Sequence, residues 1–270
     1  MSLRRFLLRR LRPLSSVLCP AILAVFSGCA REKVERVEWT VMGTVAAVQE
    51  KGRTGAGRGG VLDVVKATFS EVESLLNAHD PNSELSRLAA LPDAEILARC
   101  NPLVRPCYAA AFRLRDETGR VFNPRYRGPG TLDLGAIAKG FAVDLAAERV
   151  KAAFGETGAV LVDLGGNLRS VGGTWSVGIV GGEGRSDVSE LSLTDGEACA
   201  TSGEYYRGHH IKDGRDGSSL SNTVYSVTVV HPASAMLADG LSTVMFILGR
   251  ERGEAFLREH HPEARAEWIR

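Results

Sequence analysis

The sequence predicts an α+β fold: a single large domain with a mixed or antiparallel sheet and packed helices. Three observations carry this reading. Short apolar runs bounded by glycines, such as GAVLVDLGG (158–166), read as buried strands. Longer stretches repeat apolar residues at helical spacing, as Val61, Val65, Phe69, Val72 and Leu76 do. The two kinds of element alternate irregularly, which argues against a doubly wound parallel sheet. The composition of the 270 residues, 44% apolar and 24% charged with 30 glycines, excludes collagen-like, coiled-coil and disordered chains.

In chain order, residues 1–28 come first, with Arg4, Arg5, Arg9, Arg10 and Arg12, no acid, and an apolar run from Leu14 to Phe26. That is a secretory signal pattern, too short for a membrane span. It ends in FSGCA, with small residues at Ser27 and Gly28 before Cys29, as a lipoprotein signal presents the cysteine to be acylated. The expected organisation is a lipoprotein signal peptide over 1–28, a lipidated tether over 29–36 and a folded domain over 37–270. The expected location is periplasmic, anchored to the membrane through Cys29. Removing the five arginines leaves 28 basic against 32 acidic side chains, a balance that does not point to nucleic acid.

Residues 37–50 are rich in β-branched types and predict a strand or hairpin arm, followed by a glycine-rich turn. A helix is expected over Val61 to Leu76, a polar interruption over Asn77 to Leu88, and a second helix over about Leu103 to Thr118, stopped by Gly119. FNPRYRGPG (122–130) is loop chemistry. A helix then starts near Gly135, with Ile137, Phe141, Leu145 and Val150 on its apolar face. Strands are expected at 158–166, at WSVGIVGG and at 224–230. The long polar segment before the last of these is too large for an idle connection. An apolar helix to Gly249 and a charged C-terminal helix close the chain. Cys100 and Cys107 either pair in an oxidising compartment or remain free thiols.

Four groups of residues invite a chemical reading. Gly55, Gly57 and Gly60 spell a dinucleotide fingerprint with Asp80 beyond it, but no second parallel strand follows, so a simple turn is the default. Asp239 and Thr243, one turn apart in an apolar helix, either hold a hard cation such as Mg²⁺ or place a carboxylate at the helix start. Lys139 lies near a helix N-terminus, where a cation opposes the dipole, so it either faces an anion or reaches to water. Ser202, Glu204, Tyr205, His209, His210 and Asp213 resemble a nucleophilic triad in composition, without the G-x-S-x-G elbow.

Taken together, MGT (42–44), DPNSELSRL (80–88), LDLGAIAKGFAVD (132–144), LVDLGGNL (161–168), TSGEYYR with HHIKD, and ADGLST (238–243) resemble the ApbE-type flavin transferases, collinearly from Met42 to Gly249. These are FAD:protein FMN transferases. The resemblance implies an α+β fold and Mg²⁺-dependent transfer of FMN from FAD to a Thr or Ser hydroxyl of an exported acceptor flavoprotein, with release of AMP. It implies a metal held by Asp239, Thr243 and the Ala136 carbonyl. It also implies FAD contacts from Met42, His79, Val121, Phe122, Asn123, Asp133, Lys139, Glu204 and Ile211, with His210 activating the acceptor or orienting FAD. The sequence departs from the family at His79, Ala89, the GRVFNP block and DGRDG (213–217), and by a short connection before LDLG. An FAD pyrophosphatase and a non-catalytic FAD-binding lipoprotein are the alternative readings.

Overall fold

Strand β1 (Glu35–Val41) turns back into β2 (Thr44–Lys51) through only two residues, Met42 and Gly43, with φ values of 50° and 67°. Positive φ at both central positions marks the hairpin turn whose twist matches that of paired strands. The stretch expected as one arm is therefore a complete hairpin. The computed structural model describes residues 34–52, 57–155, 158–180, 188–203, 211–220 and 226–269.

The predicted helical face is the core face of α1 (Gly57–Leu76): Val61, Val65, Phe69 and Val72 are fully buried and Leu76 nearly so. Two short helices follow, α2 (Glu84–Leu88) and α3 (Asp93–Arg99), within and just beyond the stretch read as a polar interruption. Ser83 caps α2 by accepting from the Ser86 amide, a local signal that outweighs the segment's polarity. Helix α4 (Arg105–Glu117) leads into the 118–137 loop.

Helix α5 (Ala138–Phe154) begins three residues later than its apolar spacing suggested. The delay has a local cause. Asp133 Oδ1 accepts the Gly135 amide, and the amides of Ile137 and Ala138 both turn to the Leu134 carbonyl, so residues 135–137 form tight turns. Strands β3 (Ala159–Leu164) and β4 (Asn167–Val171), the ribbon β5 (Trp175–Val180) and β6 (Val188–Leu193), then β7 (Ala198–Gly203) and β8 (Ser226–His231) follow. Helices α6 (Ala235–Leu248) and α7 (Arg250–His260) precede a last strand, β9 (Arg265–Ile269), which the charged composition of the C-terminus concealed.

Among the described residues, seven strands form one antiparallel sheet in the order β1-β2-β3-β4-β7-β8-β9. The α+β expectation holds, in its antiparallel form. Alternation along β3 explains why its sequence is apolar throughout. Val160, Val162 and Leu164 face the helices, while Ala159 and Leu161 pack with Trp175 and Leu193 of the β5–β6 ribbon on the other face. The three cysteines 100, 107 and 199 are buried free thiols, so no bridge joins the first two. No helix among the described residues is long and apolar enough to cross a membrane.

Helices α5 and α6 meet at their first turns. Gly140 makes this possible, because a Cβ there would lie 2.2 Å from the Ala235 carbonyl oxygen. Asp144 of α5 accepts the Ala235 and Met236 amides at 2.7 and 3.0 Å and the Ser234 hydroxyl at 2.8 Å, closing the N-terminus of α6. Gly140→Ala should therefore destabilise the protein by more than the usual overpacking cost of about 1–3 kcal/mol. A urea midpoint equal to that of the unaltered protein would contradict this packing.

Candidate active site

The reverse contact is made at the same crossing. Asp239, in the second turn of α6, accepts the Gly140 amide of α5 at 3.0 Å and the Lys139 ammonium at 3.3 Å through both oxygens. Asp239 is thus not at the start of its own helix, whose first turn contains no acid. It closes the N-terminus of its neighbour. The residue is 6% exposed, so the pairing offsets a desolvation that an isolated carboxylate would not survive.

Lys139, the second residue of α5, turns its ammonium back onto the protein. Its Nζ folds back to the Gly135 carbonyl at 2.8 Å as well as to Asp239. The Ala136 carbonyl, which precedes the N-cap of α5 and so lies outside its hydrogen-bond ladder, accepts no hydrogen bond among the described residues. A carboxylate, a free carbonyl and the Thr243 hydroxyl therefore border one corner, while the positive end of α5 borders the next.

This corner belongs to a cleft of about 1230 Å³. The cleft brings together Met42, His79, Val121, Phe122, Asn123, Asp133, Ala136, Lys139, Ile211, Asp239 and Thr243, residues scattered over 200 positions of sequence. Glu204 and His210, with Tyr205 and His209, lie outside the described residues. One wall consists of two hairpin tips side by side. Gly165 donates its amide to the Val45 carbonyl at 2.9 Å, and a Cβ at Gly165 would lie 2.6 Å from Thr44 Oγ1. Glu73 holds the other tip by accepting the Met42 amide at 2.9 Å. Met42 thus keeps a left-handed backbone at a cost of about 1–2 kcal/mol.

The 121–133 loop forms another part of the lining. Val121 and Phe122 are nearly buried within it, and Asn123 spends its polar atoms on the protein, donating to the Gly214 carbonyl and accepting the Arg125 amide. Asp133 shapes the turn before α5 and pairs with Arg127 at 3.1 Å. His79 is exposed at the rim.

Arg125 anchors this loop. Its guanidinium donates to the carbonyls of Ala89, Leu91 and Thr131 and twice to Asp93 Oδ1. Burial alone would raise the Asp93 carboxyl, but hydrogen bonds and charge from Arg115 and Arg125 outweigh it and hold the group below the usual carboxylate range.

The triad reading fails on two of its members. The Ser202 hydroxyl meets those of Ser242 and Thr243, at 2.8 and 3.3 Å, and Asp213 is engaged by Arg215. The dinucleotide reading fails as well, because α1 leads into α2 and the described sheet pairs are all antiparallel; Gly60 instead admits the Phe154 ring. Sequence reasoning missed Ser242, whose buried hydroxyl also donates to the Asp239 carbonyl. Its signal was the i, i+3 spacing from Asp239.

Among the described residues, no three His, Cys, Asp or Glu side chains converge to hold a metal ion. Any cation bound at this corner has one carboxylate and neutral oxygens for ligands. Such a donor set fits a hard divalent ion that keeps water and substrate oxygens in its remaining positions.

The ApbE family model matches residues 126–268. An FAD:protein FMN transferase of Klebsiella pneumoniae (strain 342) is 34% identical over 180 residues, covering 63% of this chain and 54% of the relative. One from Treponema pallidum (strain Nichols) is 36% identical over 151 residues, covering 47% and 41%. The chain spans about half the length, or less, of the curated relatives it matches. Among solved structures, the flavin transferase ApbE from Vibrio cholerae superposes with a TM-score of 0.73 at 22% identity, over 88% of this chain and 97% of that one. The apo flavinyl transferase ApbE of Pseudomonas stutzeri gives 0.71 at 23%, over 88% and 92%. At these identities the structures show a shared fold.

The Asp93 anchor should be visible in acid. A depressed carboxyl contributes its full stability above the unfolded-state value of about 3.9 and loses it as pH falls through the lower folded value. Asp93→Asn should lower the urea midpoint at pH 7, and the gap from the unaltered protein should narrow progressively as pH falls below the unfolded-state value. A gap that stays constant with pH would mean that the Arg125 and Arg115 pairs contribute nothing through charge.

Proposed function

The chain belongs to the ApbE family, and from that premise we propose that it is an FAD:protein FMN transferase, moving FMN from FAD to a Thr or Ser hydroxyl of an exported acceptor protein and releasing AMP. One observation supports the reading: the same helix crossing sets Asp239, Thr243 and the Ala136 carbonyl beside Lys139 and the N-terminus of α5 in the lining of one cleft. A site that takes a diphosphate needs both halves, a place for a hard cation and fixed positive charge for phosphate oxygens.

In this reading Asp239, Thr243 and Ala136 would hold Mg²⁺, which when bound neutralises charge on the diphosphate. The α5 amides and Lys139 orient the phosphates. The acceptor hydroxyl oxygen bonds to the FMN phosphorus as the bond from that phosphorus to the AMP oxygen breaks, and AMP leaves with the electron pair. We assign removal of the hydroxyl proton to His210, since imidazole titrates near the working pH. The hairpin tips and the 121–133 loop enclose the nucleotide. We read the N-terminus as the lipoprotein signal described above, with Cys29 carrying a lipid anchor on the periplasmic side; the mass of the mature N-terminal peptide tests this.

The activity is tested by incubating the protein lacking residues 1–28 with FAD, Mg²⁺ and a purified acceptor domain, following AMP release and the acceptor's intact mass. An FMN-sized gain that a chelator abolishes is expected, and Asp239→Asn should slow transfer by about 10²-fold or more. AMP release without a mass gain would instead identify hydrolysis.

A further inference from the structure

Asp239 already has a cation. The Lys139 Nζ lies 3.3 Å from both of its oxygens, and among the described residues Lys139 is its only ion-pair partner. We propose that Lys139 is a built-in competitor of the metal: its ammonium holds the Asp239 carboxylate until a diphosphate draws it away, so that cation and diphosphate binding are coupled through this one side chain. The inference rests on the reading of the cleft as a site for a divalent ion and a diphosphate.

The two donors that Asp239 accepts differ in mobility. The Gly140 amide is fixed in the backbone of α5, and its approach is set by helix packing. The lysine ammonium is carried on a flexible four-carbon stem, so it is the partner that can leave. A divalent ion at Asp239 would face that ammonium a few ångströms away in a largely enclosed corner, where like charges repel far more than in water. A metal arriving alone must therefore break the ion pair and displace the lysine.

A destination for the ammonium is built in. The Lys139 amide, at the N-terminus of the 17-residue α5, has no acceptor among the described residues. Phosphate oxygens at that terminus would take the amide and the helix dipole. The ammonium, which springs from the same residue, would then leave Asp239 for the phosphate. The diphosphate thereby removes the competitor and supplies further oxygens to the metal.

The test is metal binding, independent of turnover. Free Mn²⁺ is counted by electron paramagnetic resonance during titration of the protein without nucleotide. Lys139→Gln and Lys139→Met should bind Mn²⁺ about tenfold more tightly than the unaltered protein, within the usual range of coupling between sites. Lys139→Arg, which keeps the cation, should not. Circular dichroism melts show that each variant is folded, and Lys139→Met keeps the apolar stem should the glutamine disturb the corner. Equal or weaker binding by the folded glutamine and methionine variants, with binding still abolished in Asp239→Asn, would overturn the exchange and leave the metal assignment standing. Absence of binding in every variant and in the unaltered protein would overturn both.

Discussion

Helices α5 and α6 each end in amides that the other helix satisfies with a carboxylate, and the layout of the cleft follows from that exchange. Asp144 of α5 closes the start of α6, and Asp239 of α6 closes the start of α5. Charge-assisted bonds of this kind are each worth about 1.5–3 kcal/mol, and they form only if the backbones approach to the distance that Gly140 permits. A helix N-terminus buried against a neighbour is otherwise a liability, since its first amides have no partner in their own helix. Here the remedy also defines the site. The carboxylate that takes the Gly140 amide also restrains Lys139, and the Ala136 carbonyl, just ahead of the helical ladder, lines the same cleft.

The sheet serves this crossing by fixing its surroundings. Each of the tight hairpins β1–β2 and β3–β4 delivers a two-residue tip to the same end of the sheet, where both tips line the cleft. The 121–133 part of the lining has little regular structure and depends on a single guanidinium. Arg125 joins the loop before α5 to the α2–α3 connection through bonds to three carbonyls and one carboxylate. A rigid fork with five donors suits this task, and a lysine could not replace it.

Much of this was legible in the sequence where one face of an element faces one environment. The α1 stripe was read residue by residue because a 3.6-residue period is a direct image of a buried helix face, and β3 because burial on both sides leaves an unbroken apolar run. Strand β9 was not legible, since an edge strand near charged neighbours carries little pattern. Helix α2 was hidden by polar residues whose signal was the cap at Ser83 rather than periodicity. The start of α5 was misplaced because apolar spacing cannot register that Asp133 diverts the first amides into turns. Resemblance of motifs named most of the residues around the cleft, but what they do to one another depends on contacts across 99 or 100 positions of chain, such as Lys139 and Gly140 with Asp239, which no local pattern encodes.

The two reciprocal carboxylates differ in how firmly their partners are held. Burial pushes the Asp144 carboxyl up, and it is opposed by Arg169, two backbone amides and the Ser234 hydroxyl. All of these partners are set by the fold, and Arg169 is itself held by Glu148. With both oxygens engaged at 2.7–3.0 Å by groups that have no other place to go, Asp144 has no position left for a ligand. Asp239 has one fixed donor and one that can swing away, with the cleft beside it. The difference lies in the partners, since each of the two carboxylates closes the N-terminus of the neighbouring helix. A carboxylate becomes available for chemistry when the protein satisfies it with something it can withdraw, and at this crossing only Asp239 meets that condition.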